Sequence, residues 1–225
     1  MSSTTTPLPI AVLASGRGSN LAALMDAREA GRLPVEFVLV ASDKADAPAL
    51  RHAEVRGIPT LALDPKGYPN RLAFDEALFA RVAMSGAELV VLAGFMRVID
   101  AAVVDAWRGR IVNIHPSLLP KYRGLHTHRR AIAAGDAEHG ASVHFVTAEL
   151  DGGPVIAQAR IPIHAGDDEE ALAARLLADE HRLLVACVDA IARGGVALRD
   201  GAVHCDGTPL DEPLRLGSDG ALIRA

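Results

Sequence analysis

Cysteine and aromatic residues are scarce in this sequence of 225 residues. The two cysteines, Cys187 and Cys205, are far apart and neither belongs to a CxxC pair, so we expect neither a disulfide framework nor a thiolate zinc site. Only 4% of the residues are aromatic, whereas half are hydrophobic. This balance is typical of helices packed on an aliphatic sheet, and a chain of this length can bury one sizeable core.

An excess of basic residues is also lacking. The formal net charge is −5 and the isoelectric point is near 6.0. Because a protein that neutralises many phosphates needs a basic face, we expect no nucleic-acid partner. The first seven residues lack the pattern of a signal peptide, and no apolar run approaches membrane-spanning length. We therefore expect a cytoplasmic protein with no membrane partner.

The order of apolar runs and helical spacing predicts an α/β fold. Residues 9–14 form a short apolar run, and a glycine-rich turn and helical spacing over residues 20–30 follow it. The pattern then predicts, in chain order, strand 35–41, helix 48–56, strand 60–63, helix 71–85, strand 89–93 and strand 111–114. We expect a single domain built on a mostly parallel twisted sheet with helices on both faces.

The second half of the chain departs from this alternation. Residues 141–147 and 155–163 flank a turn sequence and predict an antiparallel hairpin. A short helix is expected at 128–134, and a long helix at 168–192 ends before Gly194 and Gly195.

The chain is expected to consist of an N-terminal tail, a main domain and a C-terminal extension. Residues 1–8 are polar and predict a disordered tail. Residues 9–195 carry the alternating pattern and form the main domain. Residues 196–225 are rich in Gly, Asp and Pro and are expected to pack on that domain or at its periphery.

The stretch Ser15-Gly16-Arg17-Gly18-Ser19-Asn20 lies between the first strand and the first helix. Glycines at such a turn let backbone N–H groups face an anion, and Ser19 and Asn20 can cap a helix whose positive end favours phosphate. No GK[ST] follows, so this is not a Walker loop. A single-phosphate cradle and a simple tight turn with a helix cap are both open.

Polar side chains with catalytic potential follow two strands. Asn113 and His115 alternate at the end of one strand, and the residue before Pro116 is held extended, so an amide and an imidazole can point the same way and donate to one oxyanion. The alternative is structural: an asparagine that satisfies loop backbone and a histidine stacked in a crevice. Asp151-Gly152 is a common turn signal. If the Asp151 carboxylate instead lies beside His115, it would raise the imidazole pKa and orient the ring.

Two further patterns leave alternatives open. Glu180 interrupts an apolar stripe that repeats every four residues, so its carboxylate either pairs with an arginine or binds substrate hydroxyls. Five histidines crowd one region, namely His115, His126, His128, His139 and His144. They form no HExxH or three-ligand pattern, and His126 and His128 are expected on a solvated surface, so no metal is expected.

Several stretches together resemble one family. They are Ser15-Gly16-Arg17-Gly18-Ser19-Asn20-Leu21, Ala93-Gly94-Phe95-Met96-Arg97, Asn113-Ile114-His115-Pro116-Ser117-Leu118-Leu119-Pro120, Gly124-Leu125-His126-Thr127-His128 and Leu150-Asp151-Gly152-Gly153-Pro154-Val155. From about residue 9 to residue 195, the chain resembles the phosphoribosylglycinamide formyltransferases of purine biosynthesis. The resemblance implies a Rossmann-like formyltransferase fold. It also implies transfer of a formyl group from 10-formyltetrahydrofolate, as co-substrate, to the amine of glycinamide ribonucleotide.

The resemblance implies roles for individual residues. Asn113, His115 and Asp151 match the family's catalytic trio. The implied ribonucleotide contacts are Gly18, Ser19 and Asn20 at the phosphate and Glu180 at the ribose. The implied folate-binding residues are Arg71, Met96, Arg97, Val98, Ile99, Asn113, Thr147, Ala148, Glu149, Leu150 and Asp151. We expect small-molecule partners only, and a monomer or weak homodimer.

Other classes remain as alternatives. Methionyl-tRNA formyltransferases add a C-terminal nucleic-acid-binding domain, for which we expect no room after Gly195. Formyltetrahydrofolate hydrolases usually add an N-terminal regulatory domain, which we do not expect before the first strand. A nucleotide-binding redox or sensor domain would use Asp43 as its ribose acid, but Leu21 stands where the third glycine of the dinucleotide fingerprint belongs.

Overall fold

A computed structural model of the protein describes residues 6–224. They form two compact units that divide between Asn113 and Ile114. The elements up to this division are β1 (Leu8–Leu13), α1 (Ser19–Glu29), β2 (Val35–Ser42), α2 (Pro48–Glu54), β3 (Thr60–Ala62), a 3-10 turn (Pro65–Gly67), α3 (Arg71–Met84), β4 (Leu89–Leu92), α4 (Ala101–Ala106) and β5 (Ile111–His115), which crosses it.

The first unit is built on a parallel sheet. Its strands lie in the order β5, β4, β1, β2, β3, and the four pairings between them are parallel. Every residue of β4 is buried, as are the last four residues of β1. Strands that are covered on both faces need apolar side chains on both, which explains why their sequences are continuous apolar runs rather than alternating ones.

Two helices of the first unit, α3 and α4, begin at a residue whose side chain caps the helix. The Asn70 side chain accepts a hydrogen bond from the Ala73 N–H at 2.9 Å and begins α3, where the prediction placed it. The buried face of α3 includes Phe74, Leu78 and Val82. Asp100 begins α4 in the same way, through the Ala102 N–H. Helix α4 was not predicted from the sequence, because six residues are too few to show a helical period.

The second unit combines one long helix with mainly antiparallel strands. Its elements are α5 (Thr127–Ala133), β6 (Glu138–Phe145), β7 (Val155–Pro162), α6 (Glu169–Ala192), β8 (Val196–Arg199), β9 (Ala202–Cys205), β10 (Thr208–Pro209), β11 (Leu214–Leu216) and β12 (Leu222–Ile223). β6 and β7 form the predicted antiparallel hairpin. β11 pairs with β7 in parallel and with β12 in antiparallel. β8, β9 and β10 form a separate antiparallel sheet.

Helix α6 has the boundaries that its sequence signals predict. The Asp168 side chain accepts from the Ala171 N–H at 2.8 Å, and two glutamates occupy the first turn. These charges favour the positive end of the helix. Gly194, with φ 74°, lies just beyond the last turn in the left-handed conformation that glycine adopts most easily.

The expected fold class is confirmed. The described residues form an α/β structure with a mostly parallel sheet and an antiparallel hairpin in the C-terminal half. No helix within residues 6–224 is long and apolar enough to cross a membrane. The expected tail at residues 1–8 falls largely on positions 1–5, which lie outside the described residues, and the expected domain limits stay predictions.

Candidate active site

The end of β5 carries Asn113 and His115. Their neighbours Val112 and Ile114 are buried, and so is His115, which is 7% exposed. Asn113 pairs in register with Leu92 of β4. Since side chains alternate along a strand, Asn113 and His115 leave β5 on the same side, as the sequence predicts.

Both ring nitrogens of His115 face oxygen atoms. Nε2 lies 3.0 Å from the Tyr122 carbonyl oxygen, to which it donates. Nδ1 lies 3.4 Å from Oδ2 of Asp151, and the side chains of His115 and Asp151 are both about nine-tenths buried. Each nitrogen can therefore carry a hydrogen, so this geometry accommodates the imidazolium.

Asp151 satisfies both of the alternatives left open by the sequence. It lies in a turn between β6 and β7, with φ 47°. Its carboxylate nevertheless faces inward, because Oδ2 also accepts the Gly124 N–H at 2.9 Å. That second hydrogen bond holds the oxygen that faces His115. A residue in a turn thus places a buried carboxylate beside the histidine.

His144 is a contact of Asp151 that the sequence did not single out as a catalytic candidate. Its Nε2 lies 3.7 Å from Asp151 Oδ1, and its Nδ1 lies 2.9 Å from the Phe145 carbonyl oxygen. Burial lowers the pKa of His144, against the opposing effects of that carbonyl and of Asp151. The available signal was a histidine within a predicted strand, and the structure buries all but the first residue of β6.

The expectation of a solvated surface at His126 and His128 is correct for His126 and wrong for His128. His126 is exposed, whereas the His128 ring packs edge-on against His139, and Nδ1 of His128 lies 2.9 Å from Nε2 of His139. Burial, followed by the neighbouring His128, lowers the pKa of His139 to about 4. Across residues 6–224, no group of three or more His, Cys, Asp or Glu side chains is arranged to hold a metal ion.

The glycine-rich turn before α1 differs in one respect from the expectation. Gly18, with φ 78°, occupies the capping position of α1 and has no side chain with which to cap the helix. Ser19 and Asn20 are the first two helical residues, so the expected capping role is wrong. A Cβ on Gly18 would lie 2.8 Å from the Cα of Ala49. Only glycine lets the turn pass this close to α2.

The candidate folate residues of the first unit lie on two segments. Arg71 is the first residue of α3, and its Nη2 lies 3.2 Å from Oδ2 of Asp100. The side chains of Met96 and Val98 are 70% and 46% exposed, whereas Ile99 is buried. An apolar, accessible strip beside an arginine suits a ligand with a flat ring and an anionic tail.

The candidate folate residues of the second unit precede Asp151. Ala148, Glu149 and Leu150 are exposed, and Thr147 is half-buried. Glu149 forms an ion pair with Arg123, one residue before the Gly124 that bonds Asp151. Two loops are thus joined by the hydrogen bond from the Gly124 N–H to the Asp151 carboxylate and by the Arg123–Glu149 ion pair.

Glu180 lies on α6 within the predicted apolar stripe. Leu172, Leu176, Leu184 and Val188 are fully buried, as the four-residue spacing predicts, while Glu180 is only partly buried. A partly exposed carboxylate can meet a polar ligand without the full cost of burying a charge.

Comparison with known proteins identifies the family. The family described as formyl transferase matches residues 8–188. The phosphoribosylglycinamide formyltransferase of Escherichia coli K12 is 47% identical over 201 residues, which cover 89% of this chain and 95% of that protein. The human trifunctional purine biosynthetic protein adenosine-3 is 38% identical, over 87% of this chain and 19% of its own length.

A solved structure agrees with this assignment. The phosphoribosylglycinamide formyltransferase of Coxiella burnetii superposes with a TM-score of 0.87 at 45% identity, covering 91% of this chain and 96% of that one. Because the family match spans most of the chain and includes β5 and the Asp151 turn, the chain belongs to the formyl transferase family and is an enzyme of that family.

Proposed function

We propose that this enzyme transfers the formyl group of 10-formyltetrahydrofolate to the amine of phosphoribosylglycinamide in purine biosynthesis. The names of the relatives with 47% and 45% identity support phosphoribosylglycinamide as the acceptor, and the family resemblance implies the folate donor. The observation that carries the proposal is the buried His115 ring, which faces Asp151 through Nδ1 and a carbonyl oxygen through Nε2. This arrangement suits stabilisation of an oxyanion by an acid held in place by a carboxylate.

The proposed reaction begins with attack on the formyl carbon. The neutral amine forms a C–N bond, and the electron pair of the C=O bond moves to oxygen. Asn113, through its amide N–H, and His115 donate to this oxyanion. The Nε2–H of His115 leaves the Tyr122 carbonyl to do so, while Nδ1 remains beside Asp151.

Collapse of the intermediate completes the transfer. The C=O bond reforms as the bond between the formyl carbon and folate N10 breaks, and the attacking amine loses a proton while N10 gains one. Asp151, held by the Gly124 N–H, lies where its carboxylate can assist this proton transfer through His115 or water. The chain itself supplies the donors and the acid–base groups of every proposed step.

The proposed binding roles are those that the family resemblance implies. Gly18, Ser19 and Asn20 are proposed to hold the substrate phosphate at the positive end of α1. Glu180 is proposed to accept hydrogen bonds from the ribose hydroxyls. The proposed folate contacts are Arg71, Met96, Arg97, Val98, Ile99, Asn113, Thr147, Ala148, Glu149, Leu150 and Asp151.

A spectrophotometric assay tests the proposal. Purified protein is incubated with 10-formyl-5,8-dideazafolate, with and without glycinamide ribonucleotide, and deformylation is followed. Turnover that requires the ribonucleotide and disappears in His115→Ala is expected. Folate deformylation without the ribonucleotide would identify a hydrolase instead. Absence of turnover with this pair would reject the substrate assignment.

A further inference from the structure

The Asp75 carboxylate is buried and only half satisfied. Asp75 lies on α3 and has no exposed surface. Its Oδ2 accepts the Asp100 N–H at 2.7 Å, but its buried Oδ1 has no hydrogen-bond partner among residues 6–224. A buried carboxylate oxygen without a partner is costly, and an asparagine would fill the same volume without the charge. Packing alone does not explain an aspartate here.

Two arginines lie near this carboxylate. Burial raises the pKa of Asp75, whereas the Asp100 N–H, Arg97 and Arg71 lower it. The Arg97 guanidinium stacks 4.8 Å from the ring centroid of Phe74, the residue before Asp75. The Nε atom of Arg97 is buried and also has no partner in the described part of the chain. The Asp75 carboxylate thus lies within electrostatic range of Arg97 without forming a direct ion pair with it.

The segment between Met96 and Asp100 is held at both ends. The Ser15 hydroxyl accepts the Met96 N–H at 2.9 Å, and Asp75 accepts the Asp100 N–H. Between these two bonds, Met96 and Val98 project outward with 70% and 46% exposure. Fixing the backbone at both ends presents this apolar strip in one arrangement and lowers the entropy lost when a ligand binds.

We propose that Asp75 is a positioning residue for folate binding. It fixes the end of the Met96–Asp100 segment through the Asp100 N–H and fixes Arg97 through charge, and it touches no substrate. This inference rests on the proposed function, since it takes the folate co-substrate as the ligand of that segment. An unfavourable buried charge that is kept at a functional site lowers the stability of the fold, but it can hold the binding residues in the geometry that the ligand needs.

Two variants separate positioning from a structural role. Asp75→Asn keeps an acceptor for the Asp100 N–H but removes the charge, and Asp75→Ala removes both. We expect the Kd for 10-formyl-5,8-dideazafolate, measured by calorimetry without the ribonucleotide, to rise about tenfold in Asp75→Asn, which corresponds to ~1.4 kcal/mol. The rise should be larger in Asp75→Ala. The KM for the ribonucleotide should stay the same, and the unfolding temperature of Asp75→Asn should be unchanged or higher.

Asp105→Asn provides the matched control, because Asp105 is an exposed aspartate of the nearby helix α4. It should bind folate as the wild type does. If Asp75→Asn binds folate within twofold of wild type, or if its affinity and unfolding temperature fall together, the positioning role is wrong. If the wild type itself does not bind the folate, the failure lies in the proposed function, and the inference falls with it.

Discussion

Asp151 and His115 lie on a turn and a strand that are distant in sequence, yet Oδ2 of Asp151 is 3.4 Å from Nδ1 of His115. The same oxygen accepts the Gly124 N–H at 2.9 Å. The Asp151 carboxylate is therefore both close to the His115 ring and held in its orientation toward it. This pairing supports an acid–base role for a residue whose sequence context alone predicts a turn.

Replacing Asp151 with asparagine should damage proton transfer while preserving shape. The amide oxygen can still accept from Gly124, but the charge beside His115 is lost. We expect turnover to fall about a hundredfold or more, with a shifted pH dependence of kcat. Steady-state kinetics between pH 5.5 and 9 measures both. An unchanged pH profile would mean that Asp151 acts only as a turn residue.

Replacing Asn113 with alanine should remove one donor to the oxyanion. Loss of one such donor costs on the order of a hundredfold to a thousandfold in kcat. Unfolding by urea should change little, because the proposed role belongs to the transition state. Asp168→Ala is the opposite control: it removes the cap of α6 and should cost about 1 kcal/mol of stability while kcat is retained. Near-normal turnover in Asn113→Ala would eliminate the proposed role.

Replacing Gly18 with alanine should affect both stability and ribonucleotide binding. The alanine must adopt φ 78°, and its Cβ would lie 2.8 Å from the Ala49 Cα. We therefore expect the free energy of unfolding to fall by about 2–4 kcal/mol and the KM for the ribonucleotide to rise. Gly16→Ala in the same turn is the matched control, because its added Cβ meets no atom of the described chain within 4 Å. Equal behaviour of the two variants would contradict the close-approach explanation.

The buried His139 should make stability depend on pH. Its pKa in the folded state, about 4, is below the ordinary value of 6.5, so the unfolded chain binds its proton more readily. The stabilising effect is therefore complete above about pH 6.5 and is lost as the pH falls toward 4, by up to about 3 kcal/mol. In His139→Gln, the free energy of unfolding measured with urea should depend less on pH across this range. His164 is exposed, so His164→Gln should keep the wild-type dependence of unfolding free energy on pH. The same dependence in His139→Gln would show that His139 is not its source.

Local signals in the sequence were sufficient to predict most of the longer helices and strands. The helical period predicts helices at residues 71–85 and 168–192, and the structure has α3 and α6 within a residue or so of those limits, after the capping residues Asn70 and Asp168. The apolar run at 89–93 likewise became the buried strand β4. Helix caps and hydrophobic periods act between near neighbours, so they can be read without knowing the fold. The short strands β8 to β12 carry too few residues to show a period.

The sequence by itself determined the family motifs, the alternation of Asn113 and His115 on one strand and the stripe that contains Glu180. Only the tertiary structure decided that Gly18 rather than Ser19 occupies the capping position of α1, that His128 packs on His139, and that Asp75 is buried. It also decided that Asp151 faces His115. These facts depend on contacts between residues far apart in the chain, whose distances follow from how strands and loops pack and not from any local pattern.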